Sequence, residues 1–93
     1  MDYRVYVREA VDEELEQVVD YLSQNNPQHA REIYQEVRAG IESLQEYARR
    51  APVYKEPHRV MTLRNKYRIF YKVHDLHREV EVMHIFAPGQ NKP

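Results

Sequence analysis

YRIFYKV, residues 67–73, decides how the rest of the chain is read. Aromatic and β-branched residues alternate through it with a period of two, the pattern of a strand inside a sheet. Tyr67, Ile69, Tyr71 and Val73 fall on one parity and face a core. Arg68, Phe70 and Lys72 fall on the other, where two cations flank an aromatic ring. The sheet containing this strand therefore has one packed face and one open, basic face.

The same period extends outward from it. Downstream, Asp75 to His77 read as a turn and Arg78 to Phe86 as a last strand. Upstream, Asn65-Lys66 read as a two-residue hairpin turn, Asn65 suiting the positive φ of such turns, and Arg59 to Arg64 as the preceding strand. Pro52 and Pro57 bracket a loop, APVYKEP. Before that loop the period becomes helical. Val37, Ile41, Leu44 and Ala48 continue a stripe begun at Ala30, Ile33 and Tyr34, predicting a helix that starts after the N-cap Asn26, with Pro27 in its first turn, and runs to about Arg49. Gly40 lies inside it, which implies close approach of the neighbouring helix. Val11, Leu15, Val18, Val19 and Leu22 mark an earlier helix over Ala10 to Gln24, and Tyr3 to Val7 alternates as a first strand. The predicted fold is α+β in two layers, β-α-α-β-β-β, with a helical hairpin on one face of a mainly antiparallel four-stranded sheet.

The chain has 93 residues, 42% of them hydrophobic, and reads as a single domain, 1–93, with one modest core. It has no cysteine, which excludes disulfides and thiolate metal sites. No apolar run approaches the roughly 18 residues that a membrane span needs, and MDYRVYVREA does not resemble a secretory signal, so the expectation is a cytoplasmic protein without membrane contact. Net charge is −1 but unevenly placed: residues 1–48 hold 4 Lys/Arg and 11 Asp/Glu, residues 49–93 hold 10 and 4. An acidic layer and a basic layer follow. Either the layers attract one another or the basic one meets phosphates or acidic proteins.

The order strand, two helices, three-stranded meander, with YRIFYKV on the penultimate strand, resembles the RelE/ParE superfamily of bacterial type II toxins. The resemblance covers nearly the whole chain. The ending IFAPGQNKP is similar to the phrase IF, two residues, RQNP of some relatives, matching at Ile85, Phe86, Gln90 and Asn91, with Gly89 where an arginine is expected. The resemblance implies a toxin neutralised by a cognate antitoxin, needing no cofactor and able to form a homodimer. RelE-like members cleave messenger RNA on the ribosome, and ParE-like members are associated with inhibition of DNA gyrase.

Arg68 matches the arginine of the family's YR phrase, where a cation would steady charge on a phosphate. RelE-like lysines on the preceding strand correspond to positions near Val60 and Thr62, which carry no charge. A basic group of Arg59, Arg64, Arg68 and Lys72 remains, with Phe70 and Gln90 as further contacts to target or antitoxin. His84 joins them as a titratable imidazole able to act as acid or base. Sharing parity with Val80, Val82 and Phe86, it reads more simply as a hydrogen-bonded histidine at the core edge. Tyr71 is expected to pack under the helices with its hydroxyl at an edge. The tip residues His74, Asp75 and His77 lack further ligands, so no metal site is predicted. With the RelE-like lysines and terminal arginine missing, the reading is a ParE-like growth inhibitor that acts by binding. The alternatives are a ribosome-dependent endoribonuclease and a non-toxic regulatory member.

Overall fold

The computed structural model describes residues 2–88, which form two helices and five strands. Helix α1 (Glu9–Ser23) follows strand β1 (Arg4–Val7), with Glu9 and Asp12 in the first turn, where the helix dipole favours negative charge. Helix α2 (Pro27–Ser43) starts as its sequence predicts: the Asn26 side chain accepts from the His29 N–H at 3.1 Å and Pro27 needs no partner for an N–H it lacks. Val11, Leu15 and Val18 of α1 and Ala30, Ile33, Val37 and Ile41 of α2 face the core.

Helix α2 stops six residues short of the expected Arg49. Near its end the Ser43 hydroxyl donates to the Gly40 carbonyl at 2.6 Å, a local bond of the kind that weakens a helix. The apolar stripe nevertheless continues, because turns beyond the helix keep Leu44 and Ala48 buried. Stripe and helix therefore end at different places. Gly40 makes room for the sheet rather than for α1: a Cβ there would lie 3.2 Å from Met61 Cε and 3.5 Å from Leu63 Cδ1.

The sheet has the order β1-β5-β4-β3-β2, built from β2 (Val53–Lys55), β3 (His58–Leu63), β4 (Tyr67–His74) and β5 (Glu79–Phe86) beside β1. β1 and β5 pair in parallel and every other pair is antiparallel. Strand β2 is the addition to the four expected. It lies within the loop APVYKEP, where two prolines mask a three-residue edge strand whose side chains are all exposed. The β3–β4 connection also differs: positive φ falls at Arg64 and Asn65, not at Asn65 and Lys66, so the connection has three residues.

Both helices cover the sheet face bearing Met61, Tyr67, Ile69, Tyr71, Val80, Val82 and Ile85, all at most 5% exposed. Tyr71 packs as expected, fully buried, with its hydroxyl 3.4 Å from the donating Ala51 N–H, and burial raises its pKa.

Candidate functional site on the open sheet face

Among the described residues the other face of the sheet carries no helix. Arg68, Phe70 and Lys72 point onto it, as the alternation of β4 requires. Cross-strand register sets their neighbours. Arg68 stands between Thr62 of β3 and Phe86 of β5, Phe70 between Val60 and His84, and Lys72 between His58 and Glu81.

Phe70 is not the exposed ring that parity alone implies. Tyr54 of the unexpected β2 meets it edge-on at 5.5 Å and Phe86 does the same at 5.4 Å, leaving it 8% exposed. These are favourable T-shaped contacts. Accordingly Tyr54, 53% exposed, presents the accessible ring, and it went unpredicted because its strand did.

His84 reaches the open face through a fault in β5. Phe70 pairs with His84 but Tyr71 with Val82, so Met83 is an extra residue in a β-bulge. Below the bulge Val80 and Val82 face the core; above it Ile85 does, and His84 turns outward with Phe86, their rings 5.7 Å apart. Its expected parity with Val80 and Val82 is thereby broken. Glu14 of α1 fixes the imidazole. One carboxylate oxygen accepts from the Ile85 N–H at 2.9 Å and the other lies 3.1 Å from His84 Nδ1. The second ring nitrogen is left for other partners. Glu14 was missed because nothing in the spacing of residues 14 and 84 connects them.

The predicted basic group divides among three places. Arg59, opposite Tyr71, belongs to the helix-covered face and donates to the Ala51 carbonyl at 2.7 Å. Arg64, in the turn, reaches α2 and pairs with Glu36, its Nε donating at 2.9 and 3.0 Å, with Glu32 at 3.9 Å. That bond to Arg64 holds the Glu36 carboxyl below its ordinary value. Neither arginine joins Arg68. Lys72 belongs to a polar group around Glu81, whose carboxylate takes Arg8 Nε at 2.5 Å and His74 Nε2 at 2.9 Å. Hydrogen bonding from His74, reinforced by Arg8, lowers the Glu81 pKa. Arg68 and Lys72 form no direct hydrogen bond or ion pair among the described residues, but Lys72 stands beside the Glu81 carboxylate whereas the cross-strand neighbours of Arg68 are Thr62 and Phe86. Gln90 lies outside the described residues. Among the described residues no helix is long and apolar enough to cross a membrane.

A helical hairpin on one face of a mostly antiparallel sheet, with the other face open, is the architecture of RelE/ParE superfamily toxins. The family model for the ParE toxin of the type II toxin–antitoxin system, parDE, matches residues 5–91, and the chain belongs to that family. Its fold is similar to a structure of the chromosomal ParDE system from P. aeruginosa at TM-score 0.78 and 16% identity, over 92% of this chain and 96% of that one. The RelBE2 toxin–antitoxin complex from Mycobacterium tuberculosis is similar at TM-score 0.61 and 18% identity, over 94% and 99%. The isolated E. coli RelE toxin is similar at 0.55 and 15%, over 97% and 88%. Comparison with curated proteins gave no match.

Proposed function

We propose that this chain is the toxin of a type II toxin–antitoxin pair, that it inhibits growth in the ParE manner by binding DNA gyrase in the cytoplasm, and that a cognate antitoxin neutralises it. The surroundings of Arg68 support action by binding. Its cross-strand neighbours are a hydroxyl, Thr62, and a ring, Phe86, where cleavage of a phosphodiester would call for further cations to share the developing charge. A guanidinium opposite Phe86, on the same face as the Tyr54–Phe70–Phe86 ring cluster, instead resembles the Arg and aromatic anchors of protein interfaces.

One observation favours a second reading. His84, steadied by Glu14 through one ring nitrogen and diagonal to Arg68 across the strand pair, has the arrangement of an oriented general base. On that reading the chain is a ribosome-dependent messenger endoribonuclease.

Induction of the protein in bacterial cells without an antitoxin separates the readings. Wild type is expected to stop growth with double-strand breaks at gyrase sites and intact messages, and Arg68→Ala to restore growth. Messages cleaved while DNA stays intact, with the effect lost in Glu14→Gln and His84→Ala, would establish the endoribonuclease instead. Normal growth with folded wild-type protein would leave a regulatory member of the family.

A further inference from the structure

Where α1 ends, α2 begins and β5 runs out, helices and sheet leave a pocket of about 560 Å³. That volume lies within the roughly 300–1,000 Å³ range of small-molecule sites. Its body is apolar: Val18, Leu22 and the Tyr21 ring from α1, the Tyr67 ring from β4, and Ala87 and Pro88 beyond β5. Gln17, His29 and Lys66 complete the lining, and no carboxylate among the described residues belongs to it.

The protein leaves the polar groups of this pocket largely unsatisfied. Tyr67 is only 5% exposed, yet its hydroxyl makes no hydrogen bond among the described residues. No buried side-chain nitrogen or oxygen among those residues lacks a partner, so this hydroxyl is not sealed in the core, and the pocket that Tyr67 lines is what it can reach. Burial raises its pKa against a smaller opposing pull from Arg64, which keeps it an O–H donor at neutral pH. The Lys66 ammonium and the Gln17 amide likewise have no hydrogen bond or ion pair among the described residues. The His29 ring meets Glu32 at 3.9 Å, beyond hydrogen-bond distance. An apolar body thus carries a rim of donors, one of them cationic, without an acid to meet them.

We propose that this pocket binds a small carboxylic acid with an aliphatic or aryl body. The body displaces water from Val18, Leu22, Ala87 and Pro88, and the carboxylate accepts from the Tyr67 hydroxyl, the Lys66 ammonium and the Gln17 amide. A neutral apolar molecule leaves those donors unpaired, and an amine opposes Lys66. Two occupants from the chain itself fit less well. Residues 89–93, GQNKP, bring no aliphatic or aromatic side chain other than proline, and a lysine where Lys66 already stands. Leu76, 89% exposed on the hairpin after β4, could enter only from a second copy, since Tyr67 lies at the other end of that strand.

The test is an amide-resolved NMR titration of the full chain with sodium octanoate, with octanol and octylammonium as matched controls. The amides of Val18, Leu22, Tyr67 and Ala87 are expected to shift with octanoate, which should bind about tenfold more tightly than octanol, with octylammonium weakest. Tyr67→Phe, which removes only the unbonded hydroxyl, is expected to weaken octanoate about fivefold and to leave octanol binding and the thermal transition unchanged. Lys66→Glu, at an exposed turn position, is expected to reverse the order of octanoate and octylammonium. Absence of shifts at these amides, equal binding of the three molecules, or octanoate binding that both variants leave intact would overturn the proposal. Shifts that appear without octanoate and grow with protein concentration would overturn it in favour of a second copy. Octanoate binding seen only in a chain ending at Pro88 would overturn it in favour of residues 89–93.

Discussion

Glu81 shows how one carboxylate can hold three strands together. It sits on β5, accepts from Arg8 just after β1, and meets His74 at the end of β4. Because its pKa is lower folded than unfolded, the unfolded chain takes up the proton first. The stabilisation is complete above the ordinary carboxyl value of 4.5 and is lost as pH falls through the lowered one. Glu81→Gln should therefore flatten the acid limb of stability: between about pH 5 and pH 3 the melting temperature of wild type should fall more steeply than that of the variant. Asp75 and Glu36, lowered by Arg49 and Arg64 respectively, shift the same way, so flattening should be partial. At this scale the sequence was read well for direction and poorly for company. Parity alone put Arg68 and Lys72 on the open face. It could not show that Arg64, by adopting positive φ, would leave the strand and turn to α2.

Among elements, β5 departs furthest from its sequence. EVEVMHIF alternates without interruption to the eye, and the simplest reading keeps His84 and Phe86 with Val80 and Val82. The bulge at Met83 arises where β1 ends. Val7 pairs with Val82, and past that point the free side of β5 is met by Glu14 instead of a strand. Such a helix-to-strand contact leaves no periodic trace. Strand β2 was obscure for another reason: three exposed residues among prolines have no apolar pattern to detect. The helix starts were legible because Asn26 and Pro27 act on the backbone beside them. Glu14→Ala should strip the Ile85 N–H of its acceptor and release His84, at a cost of about 1–2 kcal/mol. Faster amide exchange at Ile85, with exchange at Val80 and Val82 unchanged, is the expected signature.

Across the whole molecule, the charge division of the sequence becomes a division of layers. Acids concentrate on the helices and cations on the segments after Ala48, and Arg64 with Glu36 joins the two. Attraction between the layers and a basic surface for partners are therefore both present. The layers depend on the last strand. β5 lies between β1 and β4 and supplies Val80, Val82 and Ile85, each fully buried. A chain ending before Glu79 should show no cooperative unfolding transition by circular dichroism, since β1 would lose β5, the strand it pairs with.

The parallel pairing of β1 with β5 also has a consequence in time. The first strand to leave the ribosome waits for the last, and Phe86 and His84 join the open face only after more than four-fifths of the described residues have been made. The open face is thus completed only when β5 takes its place between β4 and β1, after both helices and the preceding strands have been made.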